Sequence, residues 1–152
     1  MSRQSTHRSR ERAAARLAAI QALYQQEMEG IALPALLHEF HHHRLGQRID
    51  DTQFAEADVA FFDDLVGGVD ARRPEIDRRI AEKLAKGWSL ERLDKPMRQI
   101  LRAGAYELMA RPDVPTKTVI SEYLDVADAF YDKPEKGFVN GLLDALAKDL
   151  RD

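Results

Sequence analysis

Apolar residues recur along this chain at three- and four-residue steps from end to end, and no stretch alternates apolar with polar as a half-buried strand does. That period, interrupted at intervals by glycine and proline, restricts the chain to an all-α fold. A first helix is expected from near Arg8, with Leu17, Ile20, Tyr24 and Met28 as its buried stripe and Gly30 as its end. A second follows Leu33 and Pro34, with Leu33, Leu36, Leu37 and Phe40 on one face, before a polar loop at 46–51. In the third, Phe54, Asp58, Phe61, Phe62, Leu65 and Val69 share a stripe whose only polar member is Asp58. Gly67 and Gly68 near its end either loosen it or admit a close neighbour.

Pro74 suits the first turn of a further helix, which Ile76, Ile80 and Leu84 carry on to Gly87. A short turn of helix is expected over 88–93. Asp94 then caps a helix with Pro96 in its first turn and Met97, Ile100, Leu101, Gly104 and Leu108 on one side, until Pro112. Pro115 and Thr116 open another, lined by Val119, Ile120, Tyr123, Ala127 and Phe130. Asp132 and Glu135 have capping-box spacing for the last, whose stripe is Val139, Leu142, Leu143, Leu146 and Leu150. Six or seven helices with short connections make a helical bundle, and a division near 70–75 gives two subdomains, 1–72 and 73–152.

The 152 residues suffice to bury a core without staples, and the absence of cysteine removes disulfides and thiolate chemistry. The N-terminus lacks the apolar stretch of a signal peptide, and no segment approaches the ~18 apolar residues of a membrane span. A cytoplasmic protein is expected.

The net charge of −3 conceals an asymmetry. Residues 1–16 carry Arg3, Arg8, Arg10, Arg12 and Arg16 against Glu11 alone, whereas the remainder is acidic. A polyanion needs a local basic patch rather than a basic total. Arg8, Arg12 and Arg16 lie at i, i+4 and i+8, one ridge of a helix, and this ridge is expected to face solvent while the apolar stripe packs. Arginine suits phosphate because its planar fork donates paired hydrogen bonds and stays charged. RNA reading also wants stacking or base-edge groups, for which His7, Phe138 and Asn140 are candidates. Taken alone, the arm also reads as a solvated terminus and Phe138 as a core residue.

His38, Glu39 and His42 match the H-E-x-x-H pattern, in which two histidines one turn apart hold zinc and the glutamate is the base. Set against a zinc hydrolase, His38 and His42 lie about 150–190° from the centre of that helix's apolar stripe and should face water. A catalytic zinc needs an enclosed and supported pocket. The extended pattern also fails, with Leu45 and Arg48 in place of glycine and histidine. No glycine-rich phosphate loop or nucleophile elbow is present, the acidic residues are expected on exposed faces, and neither catalysis, a resident metal nor a cofactor is expected.

Six segments in order resemble the NusB family of bacterial antitermination factors: RSRERAAARLAAIQALYQ (8–25), FFDDLVGGV (61–69), WSLERLD (88–94), ILRAGAYEL (100–108), DVP (113–115) and FVNGLLD (138–144). The resemblance implies two packed three-helix subdomains with a further helix, and binding of boxA-type single-stranded RNA from ribosomal RNA leaders. It implies NusE, also a small-subunit ribosomal protein, as partner, and the RNA polymerase antitermination complex as the assembly joined. Carried onto this chain, Arg8, Arg10, Arg12 and Arg16 would contact RNA, with Lys136, Phe138 and Asn140 near the same surface. Tyr24 and Glu107 would lie on the protein partner's side. Pro96 and Met97 depart from the family's aliphatic–acidic pair, and Tyr123 and Asp128 stand where a small residue and a lysine are frequent. A competing reading is a piece or relative of the rRNA methyltransferases that carry a NusB-like domain. Against it stands the expectation that a whole fold ends at 152, leaving no room for a cofactor-binding sheet.

Overall fold

The structure, a computed structural model, describes residues 3–45, 48–49, 52–53 and 57–151, with side chains described for 8–45 and 57–151. Its elements are α1 (Arg3–Glu29), α2 (Leu33–His43), β1 (Arg48–Ile49), β2 (Thr52–Gln53), α3 (Val59–Lys83), a 3-10 turn (Leu90–Arg92), α4 (Lys95–Ala110), α5 (Thr116–Asp128) and α6 (Lys133–Leu150). The fold is all-α apart from β1 and β2, which pair antiparallel with Arg48 opposite Gln53. β1 falls within the 46–51 segment whose sequence reads as a polar loop, and β2 lies just beyond it. The other residues of that loop, 46–47 and 50–51, and Phe54 lie outside the described residues. The chain divides into two compact units, Met1–Gly67 and Gly68–Asp152.

In the first unit α1 packs on α2. Each four-residue step along a helix leaves a net turn of about 40°. The row Arg8, Arg12, Arg16, Ile20, Tyr24, Met28 therefore winds round the cylinder, and only its middle is buried. The stripe expected from Leu17, Ile20, Tyr24 and Met28 is corrected accordingly. Ala15, Arg16, Ala19, Ile20, Ala22 and Leu23 are buried, whereas Tyr24 and Met28 are 38% and 52% exposed. Gly30, at φ +67°, ends α1 and donates its N–H to the Gln26 carbonyl at 2.8 Å, a left-handed cap that a side chain would strain. Phe40 of α2 is fully buried and stacks on Phe62 with ring centroids 5.5 Å apart. Asp58 is not a member of the α3 stripe but its cap. Its Oδ1 accepts the Phe61 N–H at 2.9 Å, which satisfies an orphan donor of the first turn.

In the second unit, Arg72 leaves helical geometry (φ −113°, ψ 18°) two residues before Pro74, whose ring crowds the preceding turn and supplies no N–H. The Arg72 guanidinium reaches Glu75 at 3.1 Å and holds that carboxyl below the usual carboxylate range. α4, α5 and α6 pack on one another, and α4 is buried from Gln99 through Leu108 on every side rather than along one stripe. Its polar residues are therefore paired. Arg102 Nε and Nη2 donate to Asp77 at 2.8 and 3.0 Å, and the Tyr123 hydroxyl donates to Glu107 at 2.9 Å. The caps differ from expectation. Asp94 and Asp132 sit at the N-caps of α4 and α6, but neither side chain bonds the backbone there, so the Asp132–Glu135 capping box does not form. The Asp94 carboxylate accepts the Tyr131 hydroxyl instead, and burial together with that carboxylate pushes the Tyr131 phenol well up. Phe130 falls beyond the end of α5 and is 40% exposed.

The paired glycines of α3 have opposite surroundings. A Cβ at Gly68 would overlap the buried Tyr106 ring, while a Cβ at Gly67 would meet nothing within 4 Å. Gly68→Ala should therefore lose about 1–3 kcal/mol through overpacking. Gly67→Ala should gain up to about 1 kcal/mol from helix propensity. Urea denaturation of the two variants checks the pair, and equal effects would show that Tyr106 does not need the gap.

Candidate nucleic-acid interface

The arginine ridge splits along its length. Arg8 and Arg10 are exposed, while the side chains of Arg3 and His7 lie outside the described residues. Arg12 is half-buried, its guanidinium carbon 4.6 Å from the centre of the Phe61 ring and its Nε 3.6 Å from Asp58 Oδ2, an ion pair too long for a hydrogen bond. Arg16 is 2% exposed, with its guanidinium 4.9 Å from the same ring. The expectation that Arg8, Arg12 and Arg16 all face solvent is thus corrected, because the ridge turns about 80° between Arg8 and Arg16 and enters the packed side of α1. Asp58 fastens this arm further, since its N–H donates to the Glu11 carbonyl at 3.0 Å. Among the described side chains, what α1 offers an anion is Arg8 and Arg10, which point about 200° apart round a helix that Arg12 and Arg16 anchor through Phe61 and Asp58.

The second group of candidate residues lies on α6. Helical geometry places Asn140 about 40° from Lys136, but Phe138 about 200° away, so the three do not share one face. Asn140 is exposed. Lys136 Nζ is 2.8 Å from Asp128 Oδ1, the position where the family often has lysine. Both partners are partly solvated, so the pair is weak and readily exchanged. Phe138 is 38% exposed and lines a cavity of about 590 Å³ with Leu84, Trp88, Leu93 and Met97. Trp88 is 54% exposed, and the Arg92 guanidinium stacks 5.2 Å from its ring centroid. Neither was singled out from the sequence as a site residue. The four-residue spacing of an aromatic and an arginine was the available signal.

Of the two residues expected on the partner's side, Tyr24 is exposed beside Met28 on α1, but Glu107 is wholly buried on α4. The expectation for Glu107 is corrected: its carboxylate accepts a hydrogen bond from Tyr123 inside the second unit and presents nothing to a partner. On α2, His38 and His42 are exposed as their angle from the stripe requires. Glu39, the would-be base, accepts a hydrogen bond from Gln25 at 2.6 Å, and His41 Nε2 lies 2.6 Å from Asp63 Oδ1. Among the described residues no third His, Cys, Asp or Glu completes a site with His38 and His42, so the enclosed zinc hydrolase centre is not assembled. Among them, too, no helix is long and apolar enough to cross a membrane.

The sequence model of the NusB family matches residues 13–148. The transcription antitermination protein NusB of Novosphingobium aromaticivorans is 67% identical over 140 residues, covering 92% of this chain and 95% of that protein. Among solved structures, T. maritima NusB superposes with a TM-score of 0.74 at 30% identity, covering 92% of each chain. A chain from the crystal structure of antitermination factors NusB and NusE in complex with dsRNA superposes with a TM-score of 0.73 at 25% identity, covering 90% of this chain and 96% of that one. A family match over most of the chain, joined to these likenesses, is decisive: the chain belongs to the NusB family.

Proposed function

We propose that this chain is a cytoplasmic transcription antitermination factor, a non-catalytic adaptor that binds boxA-type RNA of ribosomal RNA leaders together with NusE. Through these contacts it joins the RNA polymerase antitermination complex. The single observation that carries the RNA role is the division of labour on α1: two exposed arginines stand at its start while Arg16 fixes the same helix in the core. Each of these arginines, carried on an ordered helix, meets a separate phosphate at little ordering cost, and arginine forks match phosphate oxygens. Arg12 adds to this surface as its weak pair with Asp58 opens. Lys136 and Asn140 supply a cation and an amide on one side of α6, and Phe138 an exposed ring on the other. Unstacked bases are held by such rings. Tyr24, with Met28 beside it, is the anchor for the protein partner.

The solved neighbour that holds NusB, NusE and dsRNA together supports both partners in one complex. Binding of a boxA-like strand, a scrambled strand and a duplex of the same length to the full chain, with and without NusE, tests this reading. The boxA-like strand is expected to bind more tightly than the scrambled one, with affinity falling as salt rises and increasing when NusE is present. Equal affinity for both strands and indifference to NusE would refute it.

A further inference from the structure

We propose that His38 and His42 form a two-imidazole site for one late first-row divalent ion, of the nickel, copper or zinc kind. This lies apart from the RNA-binding reading and does not depend on it. The two residues are one turn apart on α2, where side chains at i and i+4 meet. Both are exposed, and their rings already face each other with centroids 4.3 Å apart and planes tilted by 43°. Small side-chain rotations bring one nitrogen of each to about 2.0–2.1 Å from a shared ion. Neutral imidazole is the commonest protein ligand for such ions. The pair lies toward the C-terminal end of α2, where partial negative charge on the last carbonyls favours a cation.

His41 is 2.6 Å from Asp63, Glu39 is held by Gln25, and His43 is set about 100° round the helix from His42. With no third protein ligand among the described residues, water fills the remaining coordination positions. The ion exchanges freely, and the affinity follows the ligand-field order, with copper above nickel. Hard ions such as magnesium, which want oxygen ligands, are excluded.

The experiment is calorimetric titration of the untagged full chain with nickel chloride and, separately, magnesium chloride. The variants are His38→Ala, His42→Ala, His41→Ala and His43→Ala, each with its thermal midpoint recorded. One nickel ion per chain is expected, with at least tenfold weaker binding in either His38→Ala or His42→Ala, less than twofold change in His41→Ala and His43→Ala, and no magnesium heat. Nickel should also raise the thermal midpoint of the parent chain but not of the His38 and His42 variants. Nickel affinity that survives both His38→Ala and His42→Ala, or that is lost in His41→Ala, would overturn the assignment. So would the absence of any nickel heat.

Discussion

Replacing Arg151 with alanine is expected to destabilise the protein by about 3–5 kcal/mol, although the residue lies at the end of the chain and is only partly buried. Its guanidinium donates to the Leu108, Val114, Glu107 and Arg111 carbonyls at 3.0, 2.6, 3.2 and 2.6 Å, and to the Thr116 hydroxyl at 3.2 Å. Glu107, Leu108 and Arg111 belong to the last turn and cap of α4, a helix with no basic residue of its own in that turn. Carbonyls at a helix end lack intrahelical donors, and a cation there also meets the negative end of the helix dipole. The Glu107 and Arg111 carbonyls also accept the Arg111 and Val114 N–H groups, each at 3.0 Å, so alanine would strip the side-chain donor chiefly from the Leu108 and Val114 carbonyls. Hydrogen bonds from a charged donor are each worth about 1.5–3 kcal/mol, though not additively. Lysine keeps the charge but not the fork, and should recover less than half of the loss. Urea denaturation followed by circular dichroism measures both variants, and a chain stopped at Leu150 should behave like the alanine form. A loss under 1 kcal/mol for Arg151→Ala would mean that water serves these carbonyls equally well.

Arg151 also marks where the sequence stops being informative. The number and extent of the helices were legible because each carries its own period and its own proline or glycine boundary. Gly30, Pro74 and the α6 stripe from Val139 to Leu146 stand where that pattern puts them. What the pattern cannot carry is the angle at which a helix turns its face to its neighbours. Along α1 the buried face is turned by roughly 130° from the expected stripe, which exchanges Tyr24 for Leu23 as the buried residue and takes Arg16 from the surface to the core. Along α4 there is no polar face at all, since Arg102 and Glu107 find Asp77 and Tyr123 through contacts 25 and 16 residues apart in sequence. A buried charge looks like a surface charge until its partner is known. The capping aspartates failed for a related reason: Asp94 met a tertiary donor, Tyr131, that competes with the local backbone. The candidate site was legible by residue type, as arginines before α1's apolar run and FVNG in α6, but not by which of those residues remain free to act.

The arginines of α1 should therefore separate into two classes. Arg8→Ala combined with Arg10→Ala removes two exposed cations, so stability should change by less than about 0.5 kcal/mol. For a single-stranded RNA, each lost phosphate contact lowers the magnitude of the salt slope by about 0.7. The double variant should thus lose about 1.4 in slope and on the order of 25-fold in affinity at 0.1 M salt. Arg16→Ala should do the reverse. It removes a buried side chain packed on Phe61, leaves a void, and should cost about 2–4 kcal/mol, while the slope measured on the folded fraction stays at the parent value. Arg12 stands between the classes, and Arg12→Ala should move both quantities by smaller amounts, because its guanidinium is shared between Phe61, Asp58 and solvent. Testing Arg8, Arg12 and Arg16 only as a triple would mix a folding defect with a binding defect and could not distinguish them. If the Arg8 and Arg10 double variant kept the parent slope and affinity, the anion would have to be held elsewhere, and the RNA role of this arm would fall even though the family assignment stood.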